Sequence, residues 1–260
     1  MKDYKAIWDY REQPQEYVPS CNLCGHTLFI PLAGMGFADR YGFPQPADQC
    51  GRCGLVFLNP RMTKEAYAQF YATGAYRRLV SAFHGRRIDA QTIQPEQWFY
   101  AGEVGAFLRP HLPPQIDDLL DVGGSTGVVA EYLSNCFQSL HAAIVEPSDE
   151  ADMVHTMEVI RGTAEDFDTE GYRYDLITLC QTVDHLLDIS GTLRKLKSCL
   201  AEDGWLFVDA VDYDVTHEVK IDHPFNLTDK TMRAYLDRAE LRIVATEQAK
   251  DGMHLRYLCQ

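Results

Sequence analysis

Residues 119–133 read LLDVGGSTGVVAEYL, an apolar strand that runs into a glycine turn and then a helix. Leu119, Leu120 and Val122 form the near-continuous apolar run of a strand covered on both faces. Asp121 stands at the strand's end, Gly123, Gly124 and Gly127 shape the turn, and helical texture follows from about 127 to 136. In open parallel sheets, ligands bind at the carboxyl ends of the strands, where backbone approaches closely only if side chains are absent. The spacing D-x-G-x-x-x-G is acid-first. It departs from the dinucleotide pattern G-x-G-x-x-G, which needs glycine where Ser125 stands.

Outward from this stretch, strands alternate with helices. Strands are expected at 116–122, 141–146, 158–162, 174–180 and 205–210, with helices from about Ser148, at 190–200 and at 229–239. Two further strands, 241–247 and 254–260, flank the turn Lys250-Asp251-Gly252 and so run antiparallel. The alternation predicts an α/β fold, a Rossmann-like, seven-stranded, mostly parallel sheet with helices on both faces, over 116–260. Residues 61–115 have helical texture. Thr63 is placed to cap the first helix with Ala66 as the third helical residue, and Arg109-Pro110 and Pro113-Pro114 end the segment.

Residues 1–60 differ. Cys21 and Cys24 in CNLCG and Cys50 and Cys53 in CGRCG make two C-x-x-C pairs, the spacing of a closed tetrahedral zinc site. The glycine after each pair, Gly25 or Gly54, permits the tight turn that such a knuckle needs. A small metal-stapled ribbon is expected, because so short a segment cannot bury an adequate core unaided. Such a closed site is structural, so the chemistry lies elsewhere. Cys136, Cys180, Cys199 and Cys259 are scattered in apolar surroundings and read as reduced core residues.

Charge limits the partners. The net charge is −14, and residues 116–260 carry 12 basic against 28 acidic side chains. An acidic body repels a polyphosphate chain, so nucleic acid is disfavoured. Residues 61–115 hold 7 basic and 4 acidic residues, and their pairs Arg77-Arg78 and Arg86-Arg87 suggest a grip on one small anionic group. With no apolar run long enough to span a bilayer and no apolar leader after Met1, a soluble, cytoplasmic protein without membrane insertion is expected.

The 119–133 segment resembles motif I of class I S-adenosylmethionine-dependent methyltransferases, apart from Ser125, where that family often has glycine. Further matches follow in order. Glu146, in IVEPS, corresponds to the acid that binds the cofactor's ribose hydroxyls. Glu165 and Asp166, in GTAEDF, correspond to the position facing the adenine, Asp166 being the better match. Cys180 and Gln181 fall in motif IV, beneath the cofactor. Tyr71 and Tyr76 match aromatic positions that close over it. The cysteine ribbon followed by GLVFLNPRMTKEAYAQFYATGAYR resembles bacterial methyltransferases of sugar and polysaccharide biosynthesis.

The resemblance implies S-adenosylmethionine as cofactor and a small-molecule or glycan acceptor that is sugar-linked; the cysteine pairs call for structural Zn2+, and the arginine pairs would serve a phosphate group on the acceptor. Methyl transfer from a sulfonium needs positioning and a base for the acceptor. His185, just past the fourth strand, and His223, in a loop that forms the substrate wall in the family, are the candidate bases. Asp222 is placed to orient the second. Sugar C-methyltransferases of this kind carry a further C-terminal domain, and their loop has other residues where Ile221 and Asn226 stand here. O-methylation is therefore expected ahead of C-methylation, with an RNA methyltransferase using the ribbon as a clamp a more distant reading. Asp184, Asp212, Asp214 and His217 are available to a catalytic divalent metal but show no compact spacing.

Overall fold

The structure is a computed structural model and describes residues 3–32, 39–43 and 46–260. The chain opens with β1 (Gln15–Glu16), β2 (Phe29–Pro31), β3 (Ala47–Cys50), β4 (Val56–Leu58) and β5 (Arg61–Met62), then α1 (Lys64–Ala72), α2 (Ala75–His84) and α3 (Gln94–Leu108). The larger part follows as β6 (Asp118–Val122), α4 (Val128–Phe137), β7 (His141–Val145), β8 (Glu158–Ile160), β9 (Tyr174–Cys180), α5 (Ile189–Cys199) and β10 (Leu200–Val211). It closes with α6 (Tyr213–Thr216), β11 (Phe225–Asn226), α7 (Asp229–Arg238), β12 (Ile243–Gln248) and β13 (His254–Cys259).

Seven strands form one sheet in the order β12-β13-β10-β9-β6-β7-β8. β6 pairs in parallel with β7 and β9, β7 with β8, and β9 with β10. Only β13 runs against its neighbours. All seven expected strands are present. Successive residues of β6 serve opposite faces, as the two-residue pleat requires. Leu119 packs with α3 and α4, and Leu120 with α5 and α7.

Two expectations change. The helix from Ser148 is only a 3-10 turn, Asp149–Met153, capped by Ser148. Its sequence DEADM buries Ala151 alone, so no apolar stripe exists to hold a longer helix against the sheet. The ribbon, in turn, is not self-contained. Its sheet has the order β11-β4-β3-β2, and its fourth strand is Phe225–Asn226, paired antiparallel to β4. Cys21, Leu23, Cys50 and Phe57 lie in the same apolar core as β6, β9 and β10. Thr63 caps α1 as expected, its hydroxyl accepting the Ala66 N–H at 3.3 Å. Among the described residues, no helix is long and apolar enough to cross a membrane.

Candidate active site

The glycine turn after β6 is tight for steric reasons. Gly123 has φ +80°, and a Cβ there would lie 2.3 Å from the Thr182 hydroxyl. Gly127, the left-handed cap of α4, would put one 2.8 Å from Val154. Gly124 is closed in the same way by Ile144. Ser125 is also left-handed, at φ +50°, a conformation glycine adopts without strain. The serine is held there by hydrogen bonds: its N–H donates to Glu146 Oε2 at 3.0 Å and its hydroxyl to Glu150 Oε2 at 2.5 Å.

Asp121 is buried behind this turn and accepts from the Thr178 hydroxyl at 2.6 Å. Burial pushes its pKa up to about 6. Glu146 takes the Ser125 N–H on one oxygen and the Ser148 N–H, at 2.9 Å, on the other. Each oxygen keeps a lone pair, so the carboxylate can still accept from two vicinal hydroxyls. Glu165 accepts the Leu187 N–H at 2.8 Å. Asp166 instead turns to α1, where Lys64 Nζ lies 2.7 Å from its carboxylate and holds its pKa below the usual range. Burial pushes the Cys180 thiol up. Gln181, left-handed at φ +52°, contacts His254 Nε2 at 3.4 Å.

Tyr71 and Tyr76 lie with ring centroids 5.6 Å apart, and both present edges to His185, at 6.1 and 6.0 Å. His185 Nδ1 sits 2.8 Å from the backbone oxygen of Asp222. A carbonyl can only accept, so Nδ1 carries the proton and the lone pair is on Nε2. The Tyr71 hydroxyl, 3.1 Å from the same Nδ1, therefore serves as a second acceptor. His223 stands edge-on to His185 with centroids 4.9 Å apart, and its Nε2 is 3.5 Å from the Asp222 carboxylate. Burial lowers both histidine pKa values, which keeps both rings neutral near pH 7.

Tyr76, His185, Asp222 and His223, though not Tyr71, border a cavity of ≈ 170 Å³ that also includes Arg40, Tyr41, Asp184 and Lys220. Sequence reasoning did not assign Arg40 or Lys220 to the site. The usable signal was Lys220's position two residues before Asp222 in the loop already singled out; Arg40 had none. Asp184 Oδ2 accepts the Val211 N–H at 3.0 Å, while Oδ1 is buried with no hydrogen-bond partner among the described residues.

The four arginines expected to grip an anion are engaged within the protein. Arg77 makes two bonds to Glu150, at 2.6 and 2.7 Å. Arg78 donates to the Thr73 carbonyl, Arg86 to Glu96 and Arg87 to Asp89. The metal alternative changes too. Asp212 caps α6 through the Asp214 N–H, whereas His185, Asp222 and His223 hold ligand atoms within 4.8 Å of one another.

In the ribbon, the four cysteine sulfurs also lie within 4.8 Å of one another. Cys21 and Cys53 are 3.5 Å apart, as are Cys24 and Cys50, and all four are free thiols. A zinc ion with four sulfurs at 2.3 Å sets tetrahedral edges of about 3.8 Å, so the cluster fits that metal's size. Gly25 and Gly54 are left-handed, and their N–H groups close the knuckles onto the carbonyls of Cys21 and Cys50.

The fold and the family agree. The family model described as "Methyltransferase domain" matches residues 86–259, and the chain belongs to that family. It carries a methyltransferase domain with the fold of class I S-adenosylmethionine-dependent methyltransferases. It is 27% identical over 105 residues to the (S)-tetrahydroprotoberberine N-methyltransferase of Eschscholzia californica; the match covers 36% of this chain and 30% of that enzyme. An S-adenosylmethionine-dependent methyltransferase from Clostridium acetobutylicum superposes with TM-score 0.52 at 14% identity, over 75% of this chain and 98% of the other. CalS10, an amino pentose methyltransferase from Micromonospora echinaspora, does so with TM-score 0.53 at 15% identity, over 66% and 97%. DesVI of Streptomyces venezuelae gives 0.54 at 15%, over 66% and 98%.

Proposed function

We propose that the chain O-methylates a sugar hydroxyl, on a nucleotide-linked sugar or at a glycan end, with His185 as base. One observation carries this reading: a neutral, half-buried imidazole borders the cavity with its proton fixed on Nδ1 by the Asp222 carbonyl, which leaves Nε2 basic. Asp121, the Gly123–Gly127 turn and Glu146 would hold S-adenosylmethionine, with Glu165, Cys180 and Gln181 around its base and sulfonium ends and Tyr71 and Tyr76 closing over it. Bound there, the cofactor supplies an electrophilic methyl group to an acceptor aligned for in-line displacement. His185 Nε2 takes the proton that the acceptor hydroxyl gives up, while the carbonyl of Asp222 steadies the imidazolium through Nδ1–H. His223, also neutral, lies beside it on the acceptor side.

The cysteine cluster is read as a structural Zn2+ site that braces the loop bearing His223 through β11. The segments 1–60, 61–115 and 116–260 then act as ribbon, lid and catalytic body. The amino pentose methyltransferase of the same fold supports the acceptor class.

Calorimetry tests the central claim. S-adenosylmethionine should bind the wild type, and Glu146→Ala should weaken it at least about tenfold by removing two charge-assisted hydrogen bonds. A wild type that binds none contradicts the proposal. A screen of sugars against labelled cofactor then identifies the acceptor.

A further inference from the structure

Resting on that placement of the acceptor in the cavity, we infer that Lys220 and Arg40 form an oxyanion-recognition pair, so that the acceptor carries a phosphate or carboxylate group as well as the methylated hydroxyl. Lys220 has a side chain only 14% exposed, yet its nearest carboxylate oxygen, Glu218 Oε2, is 3.9 Å away. That is beyond hydrogen-bond reach, and no other acceptor among the described residues meets the ammonium. The same Glu218 oxygen is already taken by Arg40 Nη2 at 2.6 Å. Arg40 Nε is itself buried without a partner among the described residues. One carboxylate, itself 46% exposed, thus serves two cations that border one cavity.

Among the described residues none of the other acids nearby pairs with Lys220 or Arg40, although Asp39 Oδ2 and Asp184 Oδ1 are buried without partners. The Asp39 carboxylate accepts the N–H groups of Tyr41 and Phe43, at 2.9 and 3.1 Å. Asp184 accepts from Val211, and the Asp222 carboxylate faces His223. Burial lowers the Lys220 pKa, and the charge of Arg40 lowers it further, against the opposing pull of Asp222, Glu218 and Asp184. A half-dry cation pair that shares a single, partly exposed carboxylate is costly by itself and is satisfied by an oxyanion that accepts from both. The same charges oppose a divalent cation on His185, Asp222 and His223. Lys220 and Arg40 both act on His223 to keep it unprotonated, and they would repel a metal ion there as well.

The test uses the whole chain, titrated calorimetrically with inorganic phosphate, acetate and neutral methyl glucoside, with and without S-adenosylhomocysteine. Phosphate or acetate should bind saturably, the glucoside no better than either, and Lys220→Met should weaken anion binding at least about tenfold. Lys220→Arg should restore most of it. Tighter phosphate binding assigns a phosphorylated acceptor and tighter acetate binding a sugar acid; both support the pair. Should Lys220→Met fail to fold, as judged by its thermal midpoint, Arg40→Gln gives the same readout. No anion binding by the wild type, or binding that neither variant changes, overturns the inference. Binding of S-adenosylhomocysteine is scored separately, so a failed methyltransferase reading is told apart from a failed anion site.

Discussion

Replacing Asp184 with asparagine should stabilise the protein at alkaline pH and much less at acid pH. Asp184 is 2% exposed and keeps one oxygen without a partner. Burial pushes its pKa from 3.8 to about 7. In the unfolded chain the group titrates near its ordinary value, so between those pH values the folded state holds the additional proton. The stability it contributes is full below pH 3.8 and is lost as pH rises through about 7. A rise of that size corresponds to about 4 kcal/mol between the protonated and ionised folded forms. Asparagine stays neutral, and its carbonyl oxygen can keep the Val211 N–H. The advantage of Asp184→Asn over wild type should therefore widen by roughly 3 kcal/mol between pH 5 and pH 8.5, at about 1.4 kcal/mol per pH unit up to pH 7. Urea denaturation at the two pH values measures it. A gap that is equal at both, or a variant less stable at pH 8.5, refutes the reasoning.

Four other outcomes are expected. His185→Ala should lower kcat by about 10²- to 10⁴-fold while cofactor affinity changes less than about twofold; a normal kcat removes it as the base. Because burial lowers the His185 pKa, the wild-type rate should fall only as pH drops below 6.5, and a limb at or above that value contradicts a neutral base. Metal analysis should find about one zinc per chain, lost in Cys50→Ser together with thermal stability; full metal content in that variant argues against the four-sulfur site. Arg77→Gln, which breaks the two bonds from α2 to Glu150, should speed cofactor dissociation at least severalfold in stopped-flow fluorescence, and an unchanged rate means α2 does not restrain the cofactor.

The central sheet was legible in the sequence because its strands are short apolar runs closed by turn residues, and one strand paired on both sides leaves little choice of register. β10 extends further toward its N-terminus than the 205–210 run, because an irregularity between Leu200 and Trp205 lets the chain rejoin β9 earlier. The glycine turn was legible for the same local reason: Gly123 and Gly127 are demanded by their own φ and by the side chains against them. What was not legible is long-range. The pair Arg77-Arg78 of α2 looked like part of an anion site until the fold brought Glu150 beside Arg77. Arg40 and Lys220 were unremarkable until residues from the ribbon and from the loop before β11 met at one cavity. The proton on His185 Nδ1 depends on a backbone carbonyl 37 residues away, which no side-chain pattern encodes.

The pairing of Phe225 with Phe57 and of Asn226 with Val56 also governs when the molecule can assemble. The knuckles leave the ribosome early, but the strand that completes their sheet emerges only after β6 to β10 have been made. Loop closure over such a span is slow relative to local pairing. The ribbon's sheet therefore lacks its fourth strand, and Phe57 its contact with Phe225, until that later segment has been made. On the proposed zinc reading, early capture of the metal by the four thiols would protect this segment from aggregation during that interval, and yield would then depend on zinc supply during synthesis.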